Sequence, residues 1–248
     1  MKRWHLFSLG LLLICIVFIA IIAYNYYAPP KIRQSYRTMH HHDDTLRIAY
    51  IGDSWAAMHK MYDRKMEQMI EDKLHRPVIV LSYGICGLTS KEIYEYLFND
   101  STLKNFIKNG FDYCVISAGI NDTYKKMSTA YYQESMKGII SFMEGNHIHP
   151  IIIEIPDYDI QKAYDHQTVT KKLLRQFSMF VTGSPKDCKQ TYRDALRQTL
   201  GNRVDIVGYQ EWNNNYSKDQ KILYSEDGMH LKEEGYNRLD SCIITHIR

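Results

Sequence analysis

The stretch LRIAYIGDSW, residues 46–55, carries the two signals that decide the fold of this chain. Residues 46–51 are β-type and largely apolar, which predicts a buried strand. The residues after Ser54 place apolar side chains at three- and four-residue intervals, which predicts a helix. Ser54 therefore lies where a strand gives way to a helix, and it is either the N-cap of that helix or a nucleophile.

The same alternation of strand and helix continues along the chain. Four more apolar runs predict strands, at 77–83, 113–119, 149–156 and 203–208. Apolar periodicity predicts helices at 58–74, 90–98, 127–145, 160–180, 187–200 and 232–247. Short apolar strands separated by amphipathic helices predict an α/β fold, a three-layer doubly wound sandwich around a five-stranded parallel sheet. In such a fold, ligands bind beyond the carboxyl ends of the strands.

Composition and charge narrow the class of protein. Of the 248 residues, 45% are apolar and 24% are charged, which is ordinary for a folded chain with one domain beyond its N-terminus. The net charge of +3 comes from residues 1–45 and leaves residues 46–248 formally neutral. A neutral body gives no electrostatic reason to expect nucleic-acid binding. The cysteines of the body contain no CxxC pair, so they neither require nor exclude disulfides, and no pattern indicates an oligomeric state.

The N-terminus predicts a membrane anchor. Residues 6–23 are 18 consecutive residues in which Ser8 and Gly10 alone are not strongly apolar. At about 1.5 Å per residue they nearly span a bilayer core of roughly 30 Å. A cleaved signal peptide is the alternative, but its apolar region is usually about 7–15 residues long and ends in a small-x-small site. We therefore expect an uncleaved transmembrane segment, with the body outside the cytoplasm.

The predicted organisation has four parts: a short flank at 1–5, a transmembrane signal-anchor at 6–24, a linker or stalk at 25–45 and one folded domain at 46–248. The linker prediction rests on Pro29-Pro30 and on the lack of apolar periodicity. Residues 40–44, HHHDD, include residue types that bind transition metals. A segment without an ordered scaffold favours a solvated stretch over a metal site, so no metal is predicted.

Three loops follow the first three predicted strands and therefore meet at one edge of the sheet. They contain Ser54, GICGLT at residues 84–89 and GIND at residues 119–122. A serine hydroxyl is a poor nucleophile until a base takes its proton, and that base is usually a histidine oriented by a carboxylate. EDGMHL, near the C-terminus, places Asp227 three residues before His230, close enough to orient it. These residues predict a Ser54, His230 and Asp227 triad.

Acyl transfer also needs hydrogen-bond donors where negative charge develops on the carbonyl oxygen. The backbone N–H groups of Ser54 and Gly87 and the side-chain amide of Asn121 form a reasonable set of donors. Glycine at position 87 admits a close approach of the backbone.

These blocks resemble the SGNH, or GDSL, hydrolase superfamily, in which a serine, a glycine, an asparagine and a histidine lie in four separate blocks in that order. GDSW resembles the first block, GICGLTS the second, GIND the third and DGMHL the last. The resemblance covers about residues 46–248 and implies a flavodoxin-like sheet and ester chemistry that needs no metal or other cofactor. It assigns Ser54 as nucleophile, Asp227 and His230 as its partners, and Gly87, with Gly84 as the alternative, and Asn121 as oxyanion donors.

Four further residues are predicted to line the pocket. Trp55 replaces the leucine that is frequent after the serine in this superfamily, and it is expected to alter what the pocket admits. His59 lies about one helical turn past Ser54, and Tyr83 and Tyr124 stand beside the motifs. Ser82, where the second block often has asparagine, is the other departure, and neither removes a catalytic group.

The function expected from these residues is a membrane-anchored serine esterase. It would remove small acyl groups, above all O-acetyl groups, from a cell-surface or cell-wall carbohydrate. If a sugar hydroxyl outcompetes water, the same site makes an O-acyltransferase. The same residues are also compatible with a lysophospholipase or thioesterase, and the fold is compatible with a non-catalytic carbohydrate-binding or assembly protein.

Overall fold

A five-stranded parallel sheet forms the centre of the chain in the computed structural model, which describes residues 2–28, 30–31, 35–165, 167–183 and 185–248. The strands lie in the order β2-β1-β3-β4-β5. Their bounds are β1 Leu46–Gly52, β2 Val78–Gly84, β3 Tyr113–Ser117, β4 His149–Ile153 and β5 Asp205–Val207. The prediction of a doubly wound α/β fold with five parallel strands is confirmed.

Helices precede, connect and follow the strands. They are α1 Lys2–Tyr27, α2 Ser54–His59, α3 Asp63–Leu74, α4 Ser90–Asn99, α5 Ser101–Lys108, α6 Ile120–Lys125, α7 Thr129–Gly145, α8 Ile160–Asp165, α9 Val169–Thr182, α10 Lys189–Leu200, α11 Tyr209–Trp212, α12 Tyr216–Leu223 and α13 Glu233–Thr245. The helix predicted at 160–180 is two helices, because the side chain of Thr168 accepts a hydrogen bond from the backbone of Lys171 and starts α9 anew. The sequence periodicity did not predict α5, α6, α11 and α12, each of eight residues or fewer.

Both faces of the sheet are covered, as the continuous apolar strands predicted. Alternate residues of β1 enter two different cores, since successive side chains of a strand point to opposite faces. Ile48 and Tyr50 join the core under α3 and α13. Ala49 and Ile51 join the core under α4 and α7. All four are fully buried, and burying one large apolar side chain contributes about 1.5–3 kcal/mol.

The N-terminal helix differs from the rest in being apolar and unburied. Within Trp4–Asn25, an 18-residue window has a mean hydropathy of 3.1, and none of that window is buried inside the molecule. By length and composition it is long and apolar enough to cross a membrane.

Residues 35–45, the described end of the predicted linker, form no helix or strand but lie against the domain. The ring of Tyr36 packs on that of Phe142, with 4.8 Å between the centroids. The backbone N–H of Thr38 donates to Asn146 Oδ1 at 3.0 Å, and that of Met39 donates to the carbonyl of Lys108 at 3.0 Å. This part of the chain is therefore fixed to the body at the ends of α5 and α7.

Two glycines let the backbone close up at the carboxyl edge of the sheet. Gly52 and Gly84 are paired residues of β1 and β2. A Cβ atom on Gly52 would lie 2.0 Å from the carbonyl oxygen of Ser117, and one on Gly84 would lie 2.2 Å from the backbone nitrogen of Ala57. Because these neighbours are backbone atoms, they cannot turn aside. Gly52 thus lets β3 lie against the end of β1, and Gly84 lets α2 lie against the end of β2.

A buried charge cluster holds α2 to its neighbours. His59 is fully buried, with Nδ1 3.0 Å from Asp63 Oδ1 on α3 and Nε2 3.1 Å from Asp240 Oδ1 on α13. Its ring stacks on Tyr50, with 4.1 Å between the centroids. Burial alone would lower the pKa of His59, but the carboxylates of Asp240 and Asp63 outweigh burial and raise it to about 9. The histidine is therefore a cation at neutral pH.

The close contact at Gly84 predicts that adding one methyl group at this position destabilises the fold. Gly84→Ala should lower the free energy of unfolding by about 3 kcal/mol, because α2 must move off the sheet to admit the Cβ. Urea unfolding of the full chain in detergent micelles measures this. Gly145→Ala is the matched control, since a Cβ there meets nothing within 4 Å, and it should cost nothing. Equal effects of the two substitutions would contradict the packing argument.

The raised pKa of His59 predicts a stability that depends on pH. A histidine whose pKa is higher in the folded than in the unfolded chain stabilises in full below its unfolded pKa, about 6.5, and loses that contribution as the pH rises through about 9. The free energy of unfolding should therefore fall by up to about 3 kcal/mol between these pH values.

His59→Gln should remove most of this slope, because the amide keeps a donor but has no charge to lose. His42→Gln, a change at an exposed histidine, should keep the slope of the parent protein. Urea unfolding at a series of pH values compares the three proteins. A slope in His59→Gln equal to that of the parent would show that another group titrates.

Candidate active site

Ser54 is the first residue of α2, at the carboxyl end of β1, but it does not cap the helix. The N-cap is Asp53, whose Oδ1 accepts a hydrogen bond from the backbone N–H of Trp55 at 3.0 Å. The hydroxyl of Ser54 is thereby left for another partner, and its Oγ lies 3.0 Å from Nε2 of His230. The sequence left open whether Ser54 is a cap, and the structure gives the cap to its neighbour.

His230 is oriented by Asp227 in a tight turn. Asp227 Oδ2 lies 2.5 Å from His230 Nδ1, and Asp227 Oδ1 accepts the backbone N–H groups of Met229 and His230 at 2.9 and 3.0 Å. Burial alone would raise the pKa of Asp227, but these backbone N–H groups and the imidazole hold it below its ordinary value. An ionised Asp227 accepts the Nδ1 proton, and Nε2 is then free to accept the proton of Ser54.

Asp53 has a second task that the sequence did not predict. It is fully buried, and burial raises its pKa to about 6 although the Trp55 N–H and the Ser117 hydroxyl lower it. Oδ1 accepts from Ser117 Oγ at 3.1 Å, and Oδ2 accepts from Asn121 Nδ2 at 3.4 Å. Asp53 therefore orients the amide of Asn121 beside Ser54. One indication of this role was present in the sequence, because Asp53 is of a residue type that often caps helices and directly precedes the helix.

Gly87 and Asn121 open into the same cavity as Ser54. Gly87 has a φ of +83°, which side chains rarely adopt, and a Cβ there would meet nothing within 4 Å. Its carbonyl accepts a hydrogen bond from Lys125 Nζ at 2.7 Å. Gly84, the alternative oxyanion glycine, is packed against the backbone of α2 instead. The structure thus brings Gly87 and Asn121 to the site and gives Gly84 a packing role.

The cavity has a volume of about 520 Å³, which is within the range of small-molecule sites. One wall is built from the motif loops, and the other lining residues come from α8, from α9 and from Gln167. Its lining residues are Ser54, Met58, Cys86, Gly87, Asn121, Tyr124, Lys125, Ala163, Gln167, Lys171, Leu174, Arg175, Asp227, Met229 and His230. Among the described residues, no group of three or more His, Cys, Asp or Glu side chains could hold a metal ion.

Of the four residues predicted to line the pocket, Tyr124 does and three do not. Trp55 is fully buried and packs edge-on against Trp212, because the residue after Ser54 on α2 faces the sheet. His59 lies in its charge cluster. The ring of Tyr83 packs against Phe106 of α5, away from the cavity. Trp55 is therefore a core residue and does not line the cavity.

The sequence interpretation missed the wall formed by α8 and α9. Its lining residues are Ala163, Gln167, Lys171, Leu174 and Arg175. These residues follow β4, so the rule that ligands bind beyond the strand ends applied to them as well. They carry no motif, however, and the break between the two helices was not predicted.

Comparison with known proteins gives a consistent result. The model of the GDSL-like lipase/acylhydrolase family matches residues 50–238. Among solved structures, a lipase/acylhydrolase from Enterococcus faecalis is 18% identical with a TM-score of 0.55, and the match covers 82% of this chain and 95% of that one. An acetylxylan esterase from Geobacillus stearothermophilus is 16% identical with a TM-score of 0.52, covering 82% and 94% of the two chains. No curated protein sequence matches the chain.

The structural likeness shows a shared fold, because the identities are below 25%. Another acetyl xylan esterase, 17% identical with a TM-score of 0.55, matches over 82% of this chain and 100% of its own. The family model carries more weight, since it covers well over half of the chain and includes the blocks that hold Ser54, Asn121 and His230. The chain belongs to the GDSL-like lipase/acylhydrolase family and is an enzyme that acts on ester bonds.

Proposed function

We propose that this enzyme is a membrane-anchored serine esterase that removes small acyl groups, chiefly O-acetyl groups, from a carbohydrate outside the cytoplasm. One observation carries the proposal. The side chains of Asp227, His230 and Ser54 form a continuous hydrogen-bonded chain that ends at the cavity shared with Gly87 and Asn121. This is the arrangement that activates a serine hydroxyl for attack on an ester.

The proposed reaction has two halves. In the first, Ser54 Oγ attacks the carbonyl carbon of the ester while His230 Nε2 takes its proton, and Asp227 stabilises the imidazolium that forms. The oxyanion of the tetrahedral intermediate accepts hydrogen bonds from the backbone N–H groups of Ser54 and Gly87 and from the amide of Asn121. His230 then protonates the leaving alcohol oxygen, which leaves an acyl group on Ser54.

In the second half, water replaces the alcohol. His230 takes a proton from the water as it attacks the acyl-enzyme, and returns it to Ser54 Oγ as the carboxylic acid leaves. Each proton lost by one group is gained by another, so His230 and Ser54 end as they began.

Three observations support the proposed substrate class and place of action. The cavity of about 520 Å³ is large enough for an acetylated sugar. Two of the structural neighbours are named acetylxylan esterases, which is consistent with a carbohydrate ester. The apolar helix α1 supports a site of action next to a membrane.

Replacing the proposed nucleophile gives the most direct test. Ser54→Ala should lower kcat/KM for p-nitrophenyl acetate by at least about 10⁴-fold, because it removes the hydroxyl that is hydrogen-bonded to His230. The full chain, purified in detergent, should also be labelled at Ser54 by a serine-directed phosphonate. Ser241→Ala, at an exposed serine of α13, should keep full activity.

The products of the parent enzyme decide between related activities. Release of free acetate in the presence of a sugar acceptor supports a hydrolase, whereas an acetylated acceptor would show an acyltransferase. Faster turnover of a lysophospholipid than of acetyl esters would contradict the substrate class. If the parent enzyme shows no turnover and no labelling at Ser54, the esterase mechanism is refuted.

The role of Asn121 predicts a loss confined to the chemical step. Asn121→Ala should lower kcat by about 10²–10³-fold and change KM little, because its amide contributes most when the oxyanion has formed. Steady-state kinetics with p-nitrophenyl acetate measures both constants. Asn214→Ala, at an exposed asparagine, is the matched control. A rise in KM with an unchanged kcat would assign Asn121 to substrate binding instead.

A further inference from the structure

Arg175 on α9 is a buried charge that the proposed mechanism does not use. It lines the cavity that contains Ser54 and His230, yet the side chain is buried, with only 7% of the residue exposed. Its Nε and Nη2 atoms are buried and have no hydrogen-bond partner. Buried polar atoms are nearly always paired in folded proteins, so an unpaired guanidinium at a cavity wall calls for an explanation.

Aromatic rings hold the guanidinium in place without neutralising it. Its Cζ lies 4.3 Å from the ring centroid of Tyr164 and 5.2 Å from that of Tyr124, which is also a cavity residue. No carboxylate of the described residues lies within 4.0 Å of the Arg175 nitrogens. Cation–π contacts offset part of the cost of burial. They leave the directional N–H groups unused, and arginine cannot lose its proton.

The charges around the cavity point the same way. Lys125, Lys171 and Arg175 are the cationic lining residues, of which Lys125 is paired with Glu92 at 3.5 Å, and Asp227 is the one carboxylate among the described lining residues. The Asp227 carboxylate is already engaged by His230 and two backbone N–H groups. The potential in the cavity is therefore positive away from the triad, which favours a negatively charged ligand.

We propose that Arg175 is a specificity-determining residue that binds an acidic group, a carboxylate or a phosphate, carried by the sugar of the ester substrate. The inference rests on the proposed function, because it names the substrate class of the same site. Nε and Nη2 form one edge of the guanidinium, and two parallel N–H groups on one edge match two oxygens of an oxyacid. Arg175 lines the cavity, so an acid bound there lies beside this guanidinium.

A neutral acetylated sugar offers Arg175 hydroxyl acceptors but no opposing charge, so the charge of the guanidinium stays uncompensated. An acidic sugar replaces that cost with charge-assisted hydrogen bonds, so the enzyme discriminates between the two by the presence of the acid. The test compares kcat/KM of the full chain in detergent for mono-O-acetylated glucuronic acid, glucose 6-phosphate and glucose. The parent enzyme should prefer an acidic ester to the neutral one by about 30-fold, and the better of the two acidic esters identifies carboxylate or phosphate.

Variants of Arg175 locate the source of this preference. Arg175→Gln should reduce the ratio of acidic to neutral kcat/KM to about 1. Arg175→Lys, which keeps the charge but lacks the two parallel N–H groups, should give an intermediate ratio. Lys218→Gln is the control: it removes an exposed charge of α12 at a residue that does not line the cavity, so it should keep the parent ratio. An equal rate for all three esters in the parent enzyme, or an unchanged ratio in Arg175→Gln, would overturn the proposal.

Failure of the esterase mechanism is separable from failure of this inference. If the parent enzyme hydrolyses neither the sugar esters nor p-nitrophenyl acetate, the proposed function fails. Calorimetric titration with glucuronate, glucose 6-phosphate and glucose then decides the inference by binding alone. Tighter binding of an acidic sugar that is lost in Arg175→Gln supports the anion site, and equal binding of all three sugars refutes it.

Discussion

The carboxylate of Asp53 is the interaction on which the rest of the site depends. One oxygen caps α2 through the Trp55 N–H and accepts from Ser117 at the end of β3, and the other accepts from the amide of Asn121. A single fully buried group thus joins β1, α2, β3 and α6 at the point where the cavity begins. Because Asp53 supplies the helix cap, the hydroxyl of Ser54 remains available to His230. The close approach at Gly52 and Gly84 allows this arrangement, since any side chain there would separate the elements.

Much of the fold followed from the sequence because the sheet is parallel and buried on both faces. The strands are continuous apolar runs, and their alternation with helices leaves few topologies, so all five strands were predicted near their observed bounds. The motif residues followed for the same reason, since loops after neighbouring strands must meet. Short helices such as α6 were not predicted, because four to eight residues carry too little periodicity.

The pocket was predicted less well than the residues around the nucleophile. Trp55, His59 and Tyr83 are close to the motifs in sequence, but whether a side chain faces the cavity depends on how its helix or strand is turned. His59 is a core residue because it pairs with Asp63, four residues further along the chain, and with Asp240, which is distant in sequence. Conversely, Arg175 lies far from every motif in sequence, and only the folding of α9 brings it to the cavity that contains Ser54.

The attachment of residues 35–45 to the body limits where the enzyme can work. Tyr36 and Thr38 fix this segment beside α7, so at most the eight residues 28–35 separate α1 from the fixed chain. Fully extended, eight residues reach about 28 Å. With α1 in a membrane, as proposed, the domain is held within roughly its own diameter of the bilayer. Esters deep in an extracellular polymer would be out of reach, and the enzyme would act on molecules as they pass the membrane surface.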